Sequence, residues 1–236
     1  MGNFAEDVRQ RLFDLAEDGY REFQTRLVPE SHSILGVRMP HLRKLAKEIS
    51  AADWQGYLHN APEEYHEELL LKALVISNVK APLAEILPHI KAFIPKIDNW
   101  AVCDVFFSDF KIVKKEPEFF WGFIQPYFLA DEEFQQRFAC VMLLGHFTDE
   151  KHLYDGLALL EKAQHPGYYV KMAVAWAVSA YYTRFPEQVE TWLKQCQLED
   201  WTYNKSLQKI TESLRIRPEQ REKIKSMKRK KQGKNQ

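Results

Sequence analysis

Five polar residues recur at nearly equal intervals along this chain, each inside a stretch that is otherwise apolar. They are Lys72, Asp104, Arg137, Lys171 and Lys205, separated by 32, 33, 34 and 34 residues. An aromatic stands three or four positions before each of the last four: Trp100, Phe134, Tyr168 and Trp201, at steps of 34, 34 and 33. A spacing in the thirties leaves room for two helices per unit, and it marks an α-solenoid, in which each helical pair buries its apolar face only against its neighbours. Equivalent positions of successive pairs then stack into a row.

The rest of the sequence agrees with a helical reading. Glycine and proline fall between segments of 3.6-residue periodicity, and no sustained stretch alternates apolar and polar residues. The pattern predicts helices over Phe4–Gln24, Met39–Ser50, Ala52–His59, Glu63–Asn78, Leu83–Ala92, Ile97–Asp109, Pro117–Phe128, Asp131–Phe147, Glu150–Ala163, Tyr168–Phe185, Glu187–Cys196, Trp201–Leu214 and Pro218–Arg229. Pro62, Pro82, Pro117, Pro186 and Pro218 sit where helices begin, and Asp131 and Asp149 read as caps. The expected fold is all-α, with a helical-repeat domain over residues 1–217 and a basic, partly disordered C-terminal helix or tail over 218–236.

Asp104 is the residue that this pattern makes most conspicuous. Nearly every other position of Ile97–Phe107 is apolar, and an unpaired carboxylate there costs several kcal/mol of lost hydration, so it is compensated or kept for chemistry. Trp100 lies four residues before it, on the same helical face. In a curved solenoid the second helix of each pair lines the concave side. The row Lys72, Asp104, Arg137, Lys171 and Lys205 therefore reads as a groove floor, four cations and one carboxylate interleaved with aromatics, which suits a phosphate backbone. The competing reading makes the same charges inter-repeat salt bridges, with Asp104 paired to Arg137.

Charge is unevenly spread. Residues 205–236 hold 12 Lys+Arg against 3 Asp+Glu; taken from chain totals of 33 and 33, that leaves 21 against 30 for residues 1–204. Contact with nucleic acid must then rest on local patches, because the field of the body repels phosphate. Cys103, Cys140 and Cys196 are odd in number and widely spaced, as expected of packing thiols in a reducing compartment, not of a disulfide framework. His66 lies within Glu63-Glu64-Tyr65-His66-Glu67-Glu68, where no second histidine follows at zincin spacing, so neither metal nor other cofactor is expected. No run approaches the roughly 18 apolar residues of a membrane span. A cytoplasmic monomer is the expectation.

Several short motifs resemble one family. Gly36-Val37-Arg38-Met39-Pro40-His41-Leu42-Arg43 is similar to a G-[VI]-x-x-P-x-x-R opening, Trp100-x-x-x-Asp104 to a W-x-x-x-D helix, and Gln136-Arg137-Phe138-Ala139 to a Q-R-A-A segment. Trp176 stands 39 residues after Arg137 and ten before Pro186, as the second tryptophan of that family does. In this order they resemble the HEAT-like-repeat DNA glycosylases of the AlkD type, within the DNA alkylation repair family, and the resemblance covers nearly the whole chain.

That resemblance implies a solenoid with a concave cleft that hydrolyses the N-glycosidic bond of cationic N3- or N7-alkylpurines in double-stranded DNA. It implies Asp104 as the catalytic carboxylate, Trp100, Trp176 and Arg137 as the substrate cleft, and Lys72, Lys171 and Lys205 as contacts to the DNA backbone. Two departures stand out. Where the excising branch carries L-R-E, this chain has Val178-Ser179-Ala180, one cation fewer. Before Gly36 that branch has two helices, the second entering the minor groove, whereas Leu27–Ser33 is short, holds Pro29 and is rich in turn formers, so a second helix is not expected. The alternative function is a catalytically silent HEAT-repeat protein that binds nucleic acid or protein weakly through the same face.

Overall fold

The computed structural model describes residues 4–28, 32–108 and 110–230. Among these all regular structure is helical, apart from one isolated bridge between Ser33 and Tyr65. The chain divides into two compact units, Met1–Glu116 and Pro117–Gln236.

In the first unit α1 is Phe4–Asp14, α2 Asp18–Leu27, α3 Met39–Ala51, α4 Trp54–Asn60, α5 His66–Asn78, α6 Leu83–Phe93 and α7 Trp100–Ser108. The helix α5 is the centre of this unit, buried from His66 through Ser77 and packed between α3 and α7. Phe93 of α6, Phe106 of α7 and Phe110 form an aromatic chain with successive ring centroids 5.0 Å apart. In the second unit α8 is Pro117–Ile124, α9 Glu133–His146, α10 Leu153–Lys162, α11 Tyr168–Arg184, α12 Pro186–Leu193, α13 Asp200–Glu212 and α14 Pro218–Ser226. Here α11 is central, packed between α9 and α13, with α10 and α12 also against it and α14 on α13. Helical pairs packed in sequence order are the solenoid arrangement that the period predicts.

Three of the departures from the predicted helix bounds have a visible competitor for the backbone, a distant carbonyl in the first and a side chain in the other two. The predicted helix Phe4–Gln24 is broken at Leu15–Glu17, where the Glu17 N–H leaves the helical ladder to donate to the Gly36 carbonyl at 3.1 Å. Two helices thus precede Gly36, and the expectation of a missing second N-terminal helix is corrected. The helix predicted from Glu63 starts instead at His66, because Glu68 Oε2 accepts from the Glu64 and Tyr65 amides at 2.8 and 3.0 Å. The helix predicted from Ile97 starts at Trp100, capped by Asn99 Oδ1, which accepts from Ala101 and Val102 at 2.9 and 3.0 Å. Its predicted last residue, Asp109, lies outside the described residues.

The basic C-terminal segment is packed on α13 rather than trailing from it. Ile224 is buried, and Arg229 donates to the carbonyls of Leu198 and Cys196 at 2.6 and 3.0 Å. Residues 231–236, which carry the end of the predicted tail, lie outside the described residues.

Candidate functional site

The Asn99 cap sets α7 so that Trp100 opens the helix and Asp104 follows one turn on. Val102, Cys103 and Phe106 turn into the core, and Trp100 and Asp104 stay half-buried on the remaining face. The indole N–H of Trp100 donates to the carbonyl of Leu27, the last residue of α2, at 3.3 Å.

Beneath α2 lies an anchor that sequence reasoning passed over. The Glu67 carboxylate, buried on α5, accepts the amides of Leu35, Gly36 and Val37 at 2.9, 2.7 and 3.1 Å. Gly36 has φ +92°, and a Cβ there would come within 2.5 Å of the Glu17 carbonyl. Only glycine fits, which explains the first residue of the Gly36–Arg43 motif. Arg38 then clamps Glu17 through Nε and Nη2 at 2.9–3.1 Å and lies 4.7 Å from the Tyr20 ring centroid. The salt bridge raises the Arg38 pKa and lowers that of Glu17. Helix α2 is held by these contacts and by its backbone ends, with none of its own residues buried; Phe23 and Leu27 are exposed. The only sequence signal for Glu67 was its place in an acidic run that fails as a zinc motif.

Among the backbone contacts expected of the row, Lys72 is corrected. It is 4 % exposed, with Nζ 2.5 Å from Glu63 Oε1, a carboxylate oxygen that Lys96 shares at 2.5 Å. Burial pushes the Lys72 ammonium below its ordinary value, against the pull of Glu63. A lysine sealed on a carboxylate joins loop to helix and does not hold passing phosphate.

In the second unit Arg137 is buried on α9 and donates through Nη1 to the Tyr169 carbonyl at 2.9 Å, a fixed positive charge at the start of α11. Lys171 on α11 pairs with Glu199 at 2.9 Å and keeps a quarter of its side chain exposed. Burial alone would raise the Glu199 carboxyl, but its hydrogen bonds from Lys171 and Thr202 hold it below the usual range. Lys205 on α13 reaches Gln208 at 2.9 Å and lies 5.4 Å from the Trp201 ring centroid. Trp176 is 41 % exposed on α11, a helix most of whose other residues are buried. On helical spacing alone that indole reads as core; here it faces outward. Val178 and Ser179 of the departing triplet are buried.

Cys103, Cys140 and Cys196 are free and buried. Among the described residues no group of three His, Cys, Asp or Glu could hold a metal ion, and no helix is long and apolar enough to cross a membrane.

A carboxylate can stabilise a positively charged sugar and an exposed indole a cationic base, and fixed cations can hold phosphate. No curated protein matches the sequence. A family model does, from within α1 to the turn after α13. Over residues 8–213 the chain fits the model described as DNA alkylation repair enzyme, and it belongs to that family.

Proposed function

We propose that this DNA alkylation repair protein is a glycosylase that hydrolyses the N-glycosidic bond of cationic N3- and N7-alkylpurines. The observation that carries the reading is Asp104, a half-buried carboxylate on an otherwise apolar helix, one turn from the half-buried indole of Trp100. As the bond between C1′ and the base nitrogen breaks, its electron pair neutralises the base and positive charge appears on the sugar. Asp104 stabilises that oxocarbenium-like state and takes a proton from the water that adds to C1′, leaving an abasic sugar and a free base. The base carries its positive charge before the bond breaks and leaves neutral, so no general acid is required.

Trp100 and Trp176 each offer an indole face to a cationic base, worth roughly 0.5–2 kcal/mol over a neutral one. Arg137 supplies fixed positive charge toward DNA, and Lys171 and Lys205 contact phosphate. The helix α2, with no residue buried, supports the excising reading, since it stands where the excising branch of the family resembled by this chain carries its minor-groove element.

A second reading has two observations in its favour: Lys72 and Lys171 are engaged by Glu63 and Glu199, and Val178–Ala180 lacks the cation of the excising branch. It makes the protein a silent binder of nucleic acid or protein. The test is release of 7-methylguanine and 3-methyladenine from N-methyl-N-nitrosourea-treated duplex, wild type beside Asp104→Asn. Release by wild type that falls at least about a hundredfold in the variant is expected. No release at micromolar protein over hours would leave the silent reading.

A further inference from the structure

A second basic surface lies at the C-terminal end of the second unit. It is a groove of about 900 Å³ between α13 and the segment that follows α14, lined by Trp201, Lys205, Lys225, Lys228 and Lys230 among others. Among the described residues Asp200 is the only carboxylate in the lining.

The groove is built, not left by a loose end. Arg229 is its rivet: the guanidinium lies 3.8 Å from the Tyr203 ring centroid and donates to the Leu198 and Cys196 carbonyls. Its backbone exchanges two hydrogen bonds with the Asn204 side chain at 2.9 and 3.0 Å, and Tyr203 Oη donates to the Met227 carbonyl at 3.3 Å. With Arg229 turned inward, its neighbours Lys228 and Lys230 point out beside the groove, both exposed. Across from them Trp201 is 39 % exposed, with Tyr168, also exposed, packed edge-on at 5.8 Å.

We propose that this groove binds single-stranded nucleic acid, with the sugar–phosphate backbone along Lys228, Lys230 and Lys205 and an unpaired base stacked at Trp201. Cations give the affinity and its salt dependence; an exposed aromatic adds stacking, which only an unstacked base can use. The proposal does not depend on Asp104 or on excision. It gives the protein a hold on gapped or frayed strands.

The test is fluorescence anisotropy of a labelled oligothymidine of about 15 nucleotides, a length suited to such grooves, against the full chain, at two salt concentrations. Lys228→Glu with Lys230→Glu is expected to weaken binding at least about tenfold and to flatten its salt dependence. Trp201→Ala should weaken it severalfold, and Arg229→Ala should do the same by releasing the segment. Unchanged melting temperature in the lysine double variant separates lost binding from lost fold. Affinity that stays within twofold of wild type in the lysine variant overturns the proposal, as does equal affinity for blunt duplex with no effect of Trp201→Ala. Alkylpurine release measured on the same proteins keeps the two ideas apart. Oligothymidine binding without release removes only the glycosylase reading, and release without oligothymidine binding removes only the groove.

Discussion

The Trp100 indole ties the end of α2 to the start of α7: its N–H donates to the Leu27 carbonyl at 3.3 Å, across 73 positions of sequence. If the proposed function holds, one side chain both offers its face to a base and holds a helix end. Trp100→Phe separates the two, keeping an aromatic face and deleting the donor. It should cost about 0.5–1.5 kcal/mol and speed hydrogen exchange and proteolysis selectively at Asp18–Leu27. Exchange in α2 that matches wild type would mean the bond does not hold the helix.

Gly36→Ala should be strongly destabilising although the residue touches no substrate. At φ +92° an L-residue is strained by about 1–3 kcal/mol, and the new methyl meets the Glu17 carbonyl at 2.5 Å and the Arg21 amide at 2.7 Å. For a chain of this size each kcal/mol lowers the melting temperature by about 2–4 °C. Calorimetry should therefore read a drop of at least about 4 °C, together with loss of the α2 contacts.

Glu67→Ala leaves three backbone N–H groups without their acceptor. Each unsatisfied buried donor costs about 1–3 kcal/mol, so urea unfolding should shift by at least about 3 kcal/mol. Glu67→Gln, which retains one acceptor oxygen, should lose less. A shift under 1 kcal/mol for Glu67→Ala, on the order of a single surface change, would remove the anchor from the account.

Stability should fall as pH drops below neutrality, and His66 is one cause. Burial holds its imidazole below the ordinary value, against the pull of Glu67 and Asp98 and helped by His32. The unfolded chain therefore takes up a proton near pH 6.5 that the folded one refuses. Stability is full above that value and is lost as pH falls through it, by up to about 1.4 kcal/mol per pH unit. In chemical denaturation at pH 7.5 and 5.5, His66→Gln should show a smaller difference than wild type. Glu63 adds a second limb lower down: burial raises its carboxyl, but its hydrogen bonds from Lys72 and Lys96 outweigh that and hold it below 4.5. Its contribution is present above pH 4.5 and is lost as pH falls through the lowered folded value.

Substituting Lys72 should affect stability and not DNA. Lys72→Ala removes one of the two lysines on the part-exposed Glu63, leaving Lys96 as its partner, and empties the space under α5 that the lysine stem fills; a loss of about 1–3 kcal/mol is expected. DNA affinity of the folded variant is expected to stay within about twofold of wild type, judged against the tenfold losses that follow removal of phosphate contacts.

Long-range partnership explains what could and could not be read in advance. The helices, their period and the spacing of Trp100 and Asp104 are local facts of the chain. Lys72 and Asp104 occupy the same place in that period, yet one is sealed on Glu63 and the other half-buried; nothing in the spacing distinguishes them, because the deciding partner sits in the loop before α5. The break at Leu15–Glu17 was hidden for the same reason. Ala16 and Glu17 are acceptable helix residues, and the competitor for the Glu17 amide, Gly36, is 19 positions away. Trp176 shows the reverse, an indole whose surroundings in sequence look like core and whose helix turns it outward.

With no side chain of α2 spent on the interior, the amino acids along its flanks are free of any duty to the fold. Tyr20, which meets Arg38, and Arg21, which packs on Gly36, are set apart; Glu22, Arg26 and other exposed positions can be exchanged with little loss of stability. The outer surface of such a helix can therefore change in sequence at little cost to the scaffold that carries it.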